Sequence, residues 1–270
     1  MKTRIILAAL TLWMTAVGCG DQSEEFNDGS DSELQSLVGF PCQEYGLPIT
    51  NNDNFVCTNV NLGSRRINLL YRLDGYNAAQ KAKLKSSLDF AMQQYSNYWS
   101  APANSPLLNC TVRNTSILKD PQGSTLSTSF TTTEKKVVWA ITTLQFGFLF
   151  HVDNRQPIVL TAYDQGLDSQ GSTSSARAKV GNDKLPNNTN MSFEVNRVAL
   201  NQGPASAYDY SVNAFGGAII HEMLHRKGYV HDQIGRSIGP LVYEFGNCIT
   251  DVNHSPTKLT AGGKKMIPVD

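Results

Sequence analysis

The sequence predicts an α+β fold: a mixed, twisted sheet with two long helices, followed by a small irregular carboxy-terminal part. Three observations predict it. Residues Arg65 to Leu73 (RRINLLYRL) have strand character and stop at Asp74-Gly75. From Asn77 to Trp99, the apolar residues Ala78, Ala82, Leu88, Met92 and Tyr95 recur mostly at helical spacings, and Asn77 can cap the start. A second helical stretch opens near Val212 and runs into a segment rich in histidine. With 270 residues the chain can bury one sizeable core, so a single domain with an extension is the simplest count. Lys+Arg and Asp+Glu are both 23, so net charge points to neither nucleic acid nor acidic lipid as a partner.

Taken in order, residues 1–18 read as a signal peptide. Lys2 and Arg4 form a positive start, and Ile5 to Val17 is an apolar run too short to span a bilayer comfortably. The segment Ala16-Val17-Gly18-Cys19 resembles a bacterial lipobox, which implies cleavage before Cys19 and a lipid on that cysteine, with alanine where leucine is usual. An ordinary secretory signal is the alternative, and both readings export the protein. Localisation is then the cell envelope, at the outer surface or in the periplasm, or the medium. Residues 19–36 are acidic and poor in large apolar groups, which predicts a disordered tether. No Lys or Arg occurs between Arg4 and Arg65, while Asp21, Glu24, Glu25, Asp28, Asp31, Glu33, Glu44 and Asp53 fall there. The main part is expected over 37–231 and a small terminal part over 232–270. Lys81, Lys83 and Lys85 read as a solvated helix face. Further strands are expected at Leu107–Val112, Lys136–Leu144, Phe148–Val152, Ile158–Tyr163 and Ser192–Leu200, and a long mobile loop over Gln165–Asn190. His151 is expected on a strand, and His254 in a solvated polar turn.

The segment His221 to Asp232 reads HExxHxxGxxHD. On a helix His221 and His225 stand one turn apart on one face, where two imidazoles can share a metal ion. Glu222 lies beside them as a carboxylate that need not touch the ion. Gly228 can take the left-handed conformation that ends a helix, and the turn lets His231 return as a third ligand. Three protein ligands leave a fourth position open, which marks a catalytic site. Three of the five histidines fall within these residues, and the bland reading as an amphipathic core helix does not explain that clustering.

This segment resembles the zinc signature of the metzincin metallopeptidases. The resemblance implies one catalytic Zn2+ on His221, His225 and His231, Glu222 as general base, and Asp232 as a supporting residue in the adamalysin manner. It implies protein or peptide substrates, bound beside an edge strand for which Ile158–Tyr163 is the candidate. Metzincins also carry a methionine turn below the zinc. The methionine downstream is Met266, which is either that residue or part of the tail. Cys248-Ile249-Thr250 is similar to the adamalysin turn with the methionine replaced. Tyr243 is either a core aromatic beside Leu241 and Phe245 or a group that turns toward the metal.

Apart from Cys19, the cysteines are Cys42, Cys57, Cys110 and Cys248. An even number in an exported chain suggests two disulfides, with three possible pairings. The preferred pairing joins Cys42 to Cys57 and Cys110 to Cys248; the alternative is a thiol that blocks the metal in a latent form. Three functions follow as expectations. The first is an exported zinc endopeptidase. The others are a non-catalytic surface lipoprotein that keeps the zinc fold as a binding module, and a zinc hydrolase of cell-wall peptides.

Overall fold

A computed structural model describes residues 42, 45–46, 54–116, 131–178, 190–231, 240–255 and 263–267, all within the unit Gly39–Asp270. The expected signal peptide, tether, Cys19 and Asp232 lie outside the described residues. Strands β1 (Phe55–Asn61), β2 (Arg66–Asp74), β3 (Ile158–Tyr163), β4 (Ala176–Arg177) and β5 (Phe193–Asn196) form one mixed sheet in the order β1-β2-β3-β5-β4. The outer pairs are antiparallel and the inner ones parallel. Alternation sorts β2 between two faces: Ile67, Leu69, Tyr71 and Leu73 enter the main core, while Leu70 packs in a second cluster with Cys42 and Tyr45. Gly75, at φ +88°, ends β2 as its sequence suggested.

The long helix is α1 (Ala78–Ser100), closed at its start by a reciprocal capping box between Asn77 and Gln80. Its buried stripe is Leu84, Leu88, Ala91, Met92, Tyr95 and Tyr98, whereas Ala78 and Ala82 face solvent. The lysine face is not fully solvated. Lys83 reaches the Leu200 carbonyl at 2.8 Å and lies over the Phe215 ring.

Three expected strands are helices. Leu107–Val112 lies in α2 (Pro106–Asn114), started by a Ser105 cap and Pro106 at its first turn. Lys136–Leu144 and Phe148–Val152 belong to one helix, α3 (Thr133–Asp153), capped by Thr132. Its β-branched content suggested strands, yet Val137, Ala140, Ile141, Leu144, Phe148 and His151 recur at three and four and bury one helical face. The helix packs on α1, where Tyr95 donates to the Ile141 carbonyl at 2.7 Å and meets Phe148 edge-on. Long helices therefore number three among the described residues, α5 (Val212–Arg226) being the third. At the α3 end, Arg155 takes φ +51°, closing a turn in which its N–H reaches Val152 and that of Gln156 reaches His151. Glycine is usual there, and an arginine in that conformation costs about 1 kcal/mol.

The expected strand Ser192–Leu200 is β5 followed by one helical turn, α4 (Arg197–Leu200). β3 has its expected bounds but lies between β2 and β5, so it is not an edge. Among the described residues the edge on that side is β4, in the middle of the stretch expected to be mobile. Residues 165–178 are instead fastened to β5 by Asn196, fully buried, whose amide donates to Gln165 O, Thr173 Oγ1 and Ser174 O at 2.8–3.1 Å. Residues 179–189 of that stretch lie outside the described residues.

The carboxy-terminal part is more regular than expected, for it holds α6 (Leu241–Thr250), which lies against α5. The two helices touch through glycine. A Cβ on Gly217 would collide with Gly246 O and Thr250 Oγ1, and one on Gly246 would sit 2.9 Å from Gly217 O. Gly217→Ala should therefore force the helices apart and destabilise the protein by about 1–3 kcal/mol, the range for overpacking. Chemical denaturation measures it, and a stability equal to that of the parent would refute the contact.

Candidate metal centre

Helix α5 starts at a Ser211 cap and is buried along its last three turns, with His221, Glu222 and His225 at 1 %, 0 % and 2 % exposure. It stops after Arg226. Gly228 takes φ +87°, its N–H reaching His225 O and that of Tyr229 reaching Leu224 O. The reversal carries His231 back over the helix. The three Nε2 atoms lie 2.9–3.0 Å from one another. Among the described residues no other cluster of His, Cys, Asp or Glu has metal-ligating geometry.

Protonation decides what this triangle can hold. His221 Nδ1 lies 3.1 Å from Val242 O and His225 Nδ1 lies 2.7 Å from Tyr229 O. A carbonyl oxygen only accepts, so both Nδ1 atoms carry the proton and both Nε2 atoms present lone pairs. Two lone pairs facing each other at 3.0 Å repel, and a cation between them converts that repulsion into bonds. The donor set therefore fits a metal that accepts imidazole nitrogen. Burial, and after it the neighbouring His225, pushes the His231 pKa down to about 4, which keeps it a neutral ligand at ordinary pH.

Helix α6 forms the floor. Val242 supplies the carbonyl that orients His221. The next residue, Tyr243, stacks on His231 with ring centroids 4.3 Å apart and an 18° tilt, and lies 4.8 Å from His221. Its neighbours Leu241 and Phe245 are buried in the core, whereas Tyr243 is half-buried against the imidazoles. Met266 lines a crevice of about 10 Å³ together with His221, Tyr243, Gly217 and Gly246. It is held there by pairing of the Lys265 segment with residues 207–209 just ahead of α5. Cys248-Ile249-Thr250 is the last turn of α6 and forms no separate turn.

The remaining histidines are structural. His151 ends α3 and is no strand residue: Nδ1 lies 2.9 Å from Gln156 O, and Nε2 accepts from the Met191 N–H. His254 is not solvated; it is buried and lies 3.0 Å from Glu244 Oε2. Both that pair and Asn196 escape sequence reasoning, since nothing in an isolated Asn, Glu or His marks it as buried. The cysteines pair as Cys42–Cys57 and Cys110–Cys248, and the latter ties α2 to α6. No family model matches the chain, and neither a characterised protein nor a solved structure matches it.

The lowered pKa of His231 has a consequence for the metal-free protein. A histidine whose folded pKa lies below its unfolded value of 6.5 contributes fully above that value, and the contribution is lost as pH falls toward about 4. Melting of the chelated protein should therefore weaken between about pH 6.5 and 4 more steeply than that of a His231→Gln variant. Parallel curves for the two proteins would rule out this role for His231.

Proposed function

We propose that the protein is an exported zinc-dependent endopeptidase of metzincin type. The observation that carries this reading is the convergence of three imidazole Nε2 atoms within 3.0 Å, with a buried glutamate next in sequence to the first. His221, His225 and His231 would hold the ion. A bound zinc ion supplies Lewis acidity, lowering the pKa of water to about 7 and polarising the scissile carbonyl.

The chain's own groups do the rest. Glu222 leaves the helix about 100° round from His221, beside the ligands. It accepts the proton of the attacking water and passes it to the leaving nitrogen, so one carboxylate serves as base and then as acid. The Tyr243 hydroxyl belongs to a ring that already lies against two ligands, and it donates to the oxygen that gains charge on the carbonyl. Substrate lies extended along β4, the short edge strand that packs near α5, and adds to the sheet as a further strand. Two disulfides support the exported reading, because such bonds persist in oxidising compartments.

Glu222→Gln separates catalysis from metal binding. It keeps the size and hydrogen-bonding reach of glutamate but removes the base, so zinc content and melting temperature should stay within error. Peptide cleavage should fall by more than the roughly 10²–10⁴-fold typical of general-base loss. His225→Ala should lose metal and activity together. Metal analysis and cleavage of casein, compared with purified cell-wall material, test both variants and the substrate class. Near-normal turnover in Glu222→Gln would refute the mechanism, and loss of its zinc would make Glu222 a ligand.

Tyr243→Phe keeps the stacked ring and removes the hydroxyl. It should lower kcat with KM and zinc content little changed, whereas an unchanged kcat would confine Tyr243 to packing.

A further inference from the structure

Away from the metal centre, the start of β2 and the end of α3 enclose a basin of about 360 Å³ lined by Arg65, Arg66, Asn68, Val152, Asp153 and Arg155. Three guanidinium groups face one carboxylate there. Arg65 lies 3.2 Å from Asp153, while Arg66 and Arg155 have no acidic partner among the described residues. Balanced net charge conceals this local excess of positive charge. Arg155 stands at the helix-ending position with φ +51°, where glycine would sit without strain, so its side chain occupies a costly backbone site. Its Nη1 lies close to Gly46, and Tyr45 hydrogen-bonds both the carbonyl of Asn68 and the N–H of Leu70. The basin thus adjoins the segment that the Cys42–Cys57 bond fastens to β1.

We propose that this basin binds a phosphate oxyanion, with Arg66 and Arg155 as its principal ligands and Arg65 held in place by Asp153. Guanidinium groups recognise phosphate through paired, charge-assisted hydrogen bonds, and three of them around one concavity match a group with several acceptor oxygens. The phosphate of an anionic lipid headgroup and free phosphate share this chemistry. The lipid source would set the basin against an anionic membrane surface, which attracts each of these cations. The inference is independent of the metal centre, and the failure of either leaves the other standing.

The test uses the full chain carrying Cys19→Ser, so that no attached lipid contributes. Binding of orthophosphate is measured by calorimetry. Sedimentation is measured with vesicles of phosphatidylcholine alone and of phosphatidylcholine with phosphatidylglycerol. The apolar Ile5–Val17 run and the charges of Lys2 and Arg4 are common to the parent and its variants, so the difference between these proteins on each vesicle type is what counts. Arg155→Gly should fold at least as stably as the parent, because glycine relieves the positive φ, yet bind phosphate about tenfold or more weaker, as expected for one lost charge-assisted bond. Arg66→Gln should weaken binding similarly. Retention on anionic vesicles alone, lost in both variants, assigns the headgroup; saturable orthophosphate binding without such retention assigns the free anion. A parent that binds neither, or variants that bind like the parent, would overturn the proposal.

Discussion

The contact between α5 and α6 at Gly217 and Gly246 is the constraint on which the centre depends. No side chain fits between these backbones, and a Cβ on Gly246 would also come within 3.2 Å of the His221 Cβ. Glycine inside a helix costs about 1 kcal/mol relative to alanine. Helix α5 carries two in succession, Gly216 and Gly217, and α6 carries Gly246. Gly216 has its own reason, since a Cβ there would lie 2.7 Å from the Phe90 ring of α1. The helix bearing the ligands is therefore pressed between α1 and α6. That closeness brings Val242 O to His221 and lays Tyr243 across His231.

From this packing follows an electrostatic state. The carbonyls of Val242 and Tyr229 dictate which imidazole nitrogens hold protons, and the helix spacing then points the bare ones at a common place. Burial holds His231 neutral rather than allowing it to charge and swing into solvent. Without a cation the bare nitrogens of His221 and His225 repel; with one, the same arrangement is satisfied. The fold has thus settled the costs of orientation and dehydration before any ligand arrives.

How much of this could be read from the sequence depended on whether the signal was local. The motif from His221 to His231 names its own geometry, because helical spacing and one glycine suffice to close the triangle. Asn77 and Asp74-Gly75 likewise act within a turn, and both ends were legible. Helix α3 was misread because its Val, Ile, Thr and Phe residues favour strands locally, while burial against α1 decides the matter from residues some 46 positions away. Strand β1 (Phe55–Asn61) went unrecognised for a similar reason: its alternation of Val56, Thr58 and Val60 is short and includes a polar residue, which pairs with Asp89 of α1. The edge position of β4 is a property of sheet order, and no two-residue segment announces it.

The disulfides explain why the centre can be separate from stability. Cys42–Cys57 and Cys110–Cys248 close loops of 15 and 138 residues. In the chain-entropy model these restrict the unfolded state by about 3 and 5 kcal/mol. The longer bond fastens α6, the floor of the candidate metal site, to α2, and Asn114 joins the pair by donating to the His254 carbonyl. In a small zinc domain the ion supplies the folding energy, so its removal unfolds the chain. Here a continuous core of sheet and helices, closed by covalent links, holds the ligands in place. Under the proposed function an ion would then be left to chemistry rather than to architecture, the division of labour that an open, three-ligand site requires.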